Sequence, residues 1–404
     1  MTQPACPDEF VEQDRRALHS KGRILEVRDD FCIIPFGLKE YPAYFQNDTS
    51  RWNSKKIGDR SRTQLVFDHP PRAGHPPAEQ ARQATLRVER RLKSHEYDET
   101  QLLLCSVLKP PKIAGPFIHI PHKGTIVVAK VFDPLFYTPV NDFTDERVDT
   151  VAQADREIAH EGTAYKRLSE YSDKAAHPES TLIPGFQPKF YGFWHFLAKS
   201  KDPAFVERTR PVRLLLLEYV DGISIAEMSR RKNGTLVPLD SCKQPISDPK
   251  KVALKDVDTN ANVEANNLFH WQRRLFIIDA VVDGLARQKH MGVDLAHACP
   301  IRPDQIIVEG GFDAVTTTLP YSPDLGGNMA NPRIVVVNYT RAITGEATAY
   351  KSLIWQKVPL PCSPIDYDSL RSLVRLRGWW PASLDKLPDQ ERAAFLASLV
   401  RTNL

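Results

Sequence analysis

Apolar residues recur along this chain with two periods, and the changes between them outline its elements. Gln101–Leu108, Phe117–Ile120 and Thr125–Phe132 are β-branched, aromatic or aliphatic runs of strand length. The last two are separated by Pro121-His122-Lys123-Gly124, which predicts an antiparallel hairpin. From Thr150 to Ser172 the period changes to that of a helix, with Ala154, Ile158, Ala164 or Tyr165, and Leu168 on one face and Pro178 and Pro184 beyond its end. Phe190–Phe196 and Val212–Val220 are predicted strands, the second followed by an Asp221-Gly222 turn, and Ser224–Ser229 a short helix. Leu268–Met291 is the strongest helix, with Leu268, Trp271, Leu275, Ile278, Val281, Val282 and Leu285 as its apolar stripe and Gly292 as its stop. Ile306-Ile307-Val308 and Arg333–Thr340 are predicted strands, and Asp389–Val400 is a closing helix.

Other stretches carry less pattern. Residues 1–95 hold no motif; within them Phe31–Phe36 suggests a short strand, His69–Pro77 a loop and Ala78–Lys93 a helix. The arginines of that helix, Arg82, Arg87, Arg90 and Arg91, form a solvated face or, alternatively, a surface for an acidic partner. Arg230–Asn267 is polar and poor in aromatics, which predicts a partly disordered surface insertion. Three regions follow: an N-terminal extension over 1–95, a first lobe over 96–222 and a second over 223–404 with the 230–267 insertion.

Composition narrows the classes. At 404 residues the chain can bury a sizeable core. A net charge of +4 is weak over this length and gives no reason to expect a nucleic-acid or membrane partner. The cysteines, at 6, 32, 105, 242, 299 and 362, form no CxxC pair, so neither zinc nor a redox motif is signalled. The first residues lack a basic patch followed by an apolar stretch, and no apolar run approaches membrane-spanning length, so the cytoplasm or nucleus is the expected location. With 32 prolines against 19 glycines, the connections are expected to be stiff.

The candidate chemistry lies in four places. Val127-Val128-Ala129-Lys130 puts a lysine in an apolar strand, where its ammonium either snorkels to solvent or meets a carboxylate. Glu161 on the following helix is the favoured partner, and Glu157, one turn earlier, is the rival. Glu218 and Val220 sit where Leu217–Gly222 leaves its strand. Gly292–Val308 is a polar loop between a helix and a strand, and Val335–Thr340 is a strand running into a loop.

That order of elements resembles the protein-kinase fold from about residue 100 onward. It is similar above all to divergent kinase-like proteins of filamentous fungi, through Glu161-Gly162-Thr163-Ala164-Tyr165-Lys166-Arg167-Leu168 and Gly378-Trp379-Trp380-Pro381. The resemblance implies an α+β, two-lobed kinase-like fold, with an antiparallel first-lobe sheet, one helix and a reduced helical second lobe. It makes Lys130 and Glu161 the phosphate-binding pair and places Glu218 and Val220 at the adenine-binding hinge. The pattern H-R-D-L-x-x-x-N then falls on this loop with Pro300 for the base, Gln305 for the metal-binding Asn and Asn338 for the metal-binding Asp. Proline accepts no proton, and the two amides carry no charge for magnesium. Asp294, His297 and Asp304 are the substitutes within reach of the loop. The Gly-rich phosphate cover is missing, as is an A-P-E element, and the stretch after Asn338 is too short for a full set of substrate-binding helices. The expectation is a pseudokinase that binds or scaffolds a protein partner, with ATP as its conceivable ligand and Mg2+ not expected at the usual positions. The alternatives are an atypical ATP-dependent phosphotransferase and a plain interaction protein.

Overall fold

A computed structural model of the chain describes residues 7–30, 61–68, 82–92, 99–112, 119–139, 149–172, 180, 182–232, 235–238, 259–295, 300–309, 332–340, 342–344, 375–379, 388 and 391. Its contacts fall into two units. The first is Met1–Asp173, Lys189–Tyr219 and Tyr339–Ala347; the second is Lys174–Pro188, Val220–Asn338 and Thr348–Leu404.

The first unit contains α1 (Pro7–His19), β1 (Ile24–Asp29), α2 (Arg62–Asp68), β2 (Gln83–Arg91), β3 (Gln101–Lys109), β4 (Ile126–Phe132), α3 (Thr150–Ser172), β5 (Phe190–Lys199) and β6 (Thr209–Glu218). Its six strands close an antiparallel barrel in the order β1-β2-β3-β4-β6-β5, with β5 returning to β1. Alternate residues fill the interior: Leu25 and Val27, Ala84, Leu86 and Val88, Leu103, Cys105 and Val107, Val127, Ala129 and Val131, Leu214 and Leu216, and Trp194 and Phe196. This is the period-two pattern of a sheet buried on one face.

β2 corrects the sequence reading, which put a helix at 78–93. Ala84, Leu86 and Val88 alternate inward while Arg87, Arg90 and Arg91 stay exposed. The exposed arginines suit a helix surface equally well, so the charge obscured the shorter period. The hairpin is also corrected, because β4 pairs with β3, with Leu102 opposite Lys130. Residues 119–120 are not in a strand and Phe117-Ile118 lie outside the described residues. Residues 1–95, expected as an extension, supply β1 and β2 to the barrel. The Phe31–Phe36 stretch lies outside the described residues.

α3 forms where its period placed it. Asp149 accepts the Val151 N–H at 3.0 Å and caps its start. The helix packs against β4, β5 and β6. β6 is therefore buried on both faces, which explains its unbroken Leu214-Leu215-Leu216-Leu217 run. A β-carbon on Gly162 would lie 1.9 Å from Cε1 of Phe193, so glycine sets how closely α3 approaches β5.

The second unit holds β7 (Gly222–Ser224), β8 (Ser229–Lys232), β9 (Thr235–Pro238), α4 (Thr259–His290), β10 (Val293–Asp294), β11 (Ile306–Glu309) and β12 (Ile334–Val336); β13 (Ile343–Thr344) returns to the first unit. β11 lies between β12 and β7. The expected short helix at Ser224–Ser229 is replaced by strand ends and a turn. The expected insertion contains the β8–β9 hairpin, and α4 begins at Thr259 instead of Leu268. Ile278, Val281, Val282 and Leu285 of its stripe are buried as expected. The side chains of Leu268, Trp271 and Leu275 lie outside the description, as does most of the expected closing helix. Among the described residues no helix is long and apolar enough to cross a membrane.

Candidate functional site

Lys130 sits on β4 between Ala129 and Val131, whose side chains fill the barrel. Strand alternation therefore sends Lys130 outward, under α3. Its Nζ lies 2.6 Å from Oε2 of Glu161, with side-chain exposures of 6% and 0%. Such a pair is dry and tolerable only when its remaining polar valences are met. Two residues beyond the second unit's last strand meet them. The Thr340 hydroxyl donates to Glu161 Oε2 at 2.8 Å and accepts from Lys130 Nζ at 3.1 Å. The Tyr339 backbone N–H donates to Glu161 Oε1 at 3.2 Å. The ring of Phe132, two residues along β4, lies 5.6 Å below the ammonium. Tyr339 itself is buried edge-on against Tyr165 of α3, with ring centroids 4.9 Å apart.

Glu157, the rival partner, has different work. It accepts the Tyr137 hydroxyl at 2.8 Å and the Gln153 amide at 3.3 Å. Burial raises its pKa against the lowering effect of these two hydrogen bonds and of nearby Lys130. Burial, followed by the charge of Glu157, pushes the Tyr137 phenol well above its ordinary value. Glu218 ends β6, where its Oε2 accepts the Lys189 backbone N–H at 2.9 Å. Val220 is buried and begins the second unit's Val220–Asn338 segment.

In the second unit, Gln305 lies in one turn of 3₁₀ helix at Pro303–Gln305. Its side-chain oxygen accepts the Arg302 N–H at 2.8 Å, and its amide nitrogen donates to the Asn338 carbonyl at 2.9 Å. Its own backbone carbonyl accepts the Val337 N–H. Gln305 thus fastens the turn to the strand end with both ends of its amide. Asn338 has φ of 65°, the sole non-glycine residue described with positive φ. Asparagine tolerates that left-handed backbone better than most side chains do.

Asp304 is paired with Arg302 at 2.9 Å, and Asp294 with Lys289 at 3.2 Å. Pro300 is described, whereas His297 is outside the described residues. Among the described residues, no three His, Cys, Asp or Glu side chains are grouped to hold a metal. Within the second unit the Gln305 side-chain oxygen is engaged by backbone and Asn338 carries a neutral amide; within the first, Thr340 lies against the Lys130 ammonium. In sequence, the connections flanking β3 are poor in glycine: residues 92–100 contain none and 110–125 only Gly115 and Gly124.

Sequence reasoning missed several of these partners. Thr340 and Tyr339 lay beside Asn338 but gave no signal of reaching Glu161, 178 residues earlier in the chain. Arg210 and Arg213, charged residues inside an apolar strand, did give one. Arg210 binds Asp133 at 2.8 and 3.2 Å, and Arg213 binds Asp30 and Asp155 at 2.8 and 3.1 Å, all of them buried. Gly378 and Trp379 also prove to be structural. The Trp379 indole donates to Ser229 Oγ at 2.6 Å, and a β-carbon on Gly378 would meet the Leu236 carbonyl at 2.1 Å, so these two residues pack against the β8–β9 hairpin.

No protein-family model matches the chain, and no curated protein does. Among solved structures, ROP2 from Toxoplasma gondii, described as a virulence factor with a protein-kinase fold and no enzymatic activity, is 10% identical. That match has a TM-score of 0.30 and covers 84% of this chain and 61% of that one, so this chain spans about three-fifths of its length. A ROP18 kinase domain in complex with AMP-PNP and sucrose is also 10% identical, with a TM-score of 0.32 and coverage of 96% and 99%.

Proposed function

We propose that this chain is a catalytically impaired protein-kinase-like protein, a pseudokinase of divergent type, acting as a binding or scaffolding module for a protein partner in the cytoplasm or nucleus. One observation carries the reading: a strand lysine and a helix glutamate form a buried pair, while the groups at the matched base and metal positions are Pro300, Gln305 and Asn338. Strand order supports it too. The run β2-β3-β4-β6-β5, with the lysine on the middle strand and α3 between β4 and β5 in sequence, is the arrangement in which a kinase lysine meets its helix glutamate. Phosphoryl transfer relies on metal-borne charge neutralisation and a positioned base, and a proline with two neutral amides supplies neither.

Purified protein incubated with ATP and magnesium or manganese should show no hydrolysis or autophosphorylation above a Lys130→Met/Glu161→Gln control. That control removes both charges together. Turnover well above the control, and lost again in Asp304→Ala, would overturn the reading in favour of an atypical phosphotransferase.

A further inference from the structure

The ammonium of Lys130 is the one strongly cationic group that β4 presents to α3, and its surroundings belong to the chain itself. A lysine ammonium directs three N–H bonds. One points at Glu161 Oε2 and one at Thr340 Oγ1, with the Phe132 ring alongside. The Thr340 hydroxyl is fixed from both sides, because it donates to Glu161 while accepting from Lys130. The segment carrying it is fastened as well: the Tyr339 N–H is bound to Glu161, the Tyr339 ring is buried against Tyr165, and the Ala342 N–H donates to the Tyr339 carbonyl at 2.9 Å.

We propose that Thr340 is an internal cap on Lys130, its hydroxyl standing where an oxygen of a polyphosphate ligand would sit. Charge-assisted bonds from lysine to phosphate are strong, so the ligand gains a partner only by displacing the threonine hydroxyl. Displacement also strips Glu161 of a donor in a dry site, which is costly. Tyr339 and Thr340 therefore act as an autoinhibitory strap, and removing the hydroxyl makes the ammonium accessible. This rests on the kinase-like reading of Lys130 but not on the loss of catalysis, and the two are tested apart.

The probe is ATP, with adenosine as the control that lacks phosphate, titrated calorimetrically into the full chain. Thr340→Ala should bind ATP about tenfold or more tightly than the wild type, a readily measured difference, with adenosine unchanged. Thr340→Ser, which keeps the hydroxyl, should behave as wild type. Equal ATP affinity in all three proteins, a gain in Thr340→Ser, or an equal gain for adenosine would overturn the cap while leaving the pseudokinase proposal intact. ATP turnover by Thr340→Ala would instead sink that proposal and leave the cap standing. Amine acylation of the unaltered protein, mapped by mass spectrometry, needs no variant. Lys130 should react far more slowly than exposed Lys201, and equal rates would end the proposal.

Discussion

Lys130 and Glu161 show how one strand position can be costly and stabilising together. With 0% of the Glu161 side chain exposed, removing the lysine leaves an isolated buried charge. Breaking such a pair typically costs about 3–5 kcal/mol. Lys130→Met should lose stability on that scale in denaturant unfolding, and Lys130→Met/Glu161→Gln should recover a large part of it. Additive losses would show that the two residues are not coupled. A second prediction concerns His160 on α3. Burial, aided by Arg156, lowers its pKa from 6.5 to about 4. The folded state therefore holds it neutral while the unfolded chain binds a proton between those values. Stability is then fully present above pH 6.5 and falls as pH drops towards 4. Unfolding midpoints followed across that window should decline less steeply in His160→Gln; an identical slope would show that other groups carry the effect.

At the scale of elements, α3 was legible because its period is clean and its cap, Asp149, directly precedes it. Its approach to β5 was not, because nothing around Gly162 announces Phe193. Helix propensity alone favours alanine over glycine by up to about 1 kcal/mol. Here the added carbon would overlap the Phe193 ring, and overpacking of this kind typically costs about 1–3 kcal/mol. Gly162→Ala should accordingly lower the thermal midpoint despite adding a better helix former. A raised midpoint would show that Phe193 can rotate away freely. β2 is the opposite case. Its inward Ala84, Leu86 and Val88 were visible, but strand and helix readings of nine residues differ by few positions, and arginines at the surface satisfy both.

Across the first unit, closure of the barrel depends on β1, which pairs with β2 on one side and β5 on the other. Asp14 of α1 extends this by accepting the Lys201 N–H and the Ser200 hydroxyl. Deleting residues 1–30 should expose two unpaired strand edges and a row of apolar side chains. The truncated chain should aggregate or lose cooperative unfolding, as followed by light scattering and circular dichroism. A truncated chain that stays monomeric and melts as sharply as the full one would mean β1 is dispensable.

By itself the amino-acid order determined the local periods, the helices that carry them, and the chemical types at each candidate position: a lysine between valine and alanine neighbours, and proline and amides where acids would act. Those are properties of neighbours in sequence. Only the tertiary structure decided which glutamate meets Lys130, that Thr340 closes over the pair, that Gln305 is held by backbone, and that a barrel forms instead of an open sheet. Each of these joins residues tens to hundreds of positions apart, and such contacts are selected by packing and by the need to satisfy buried polar groups, which no local pattern encodes.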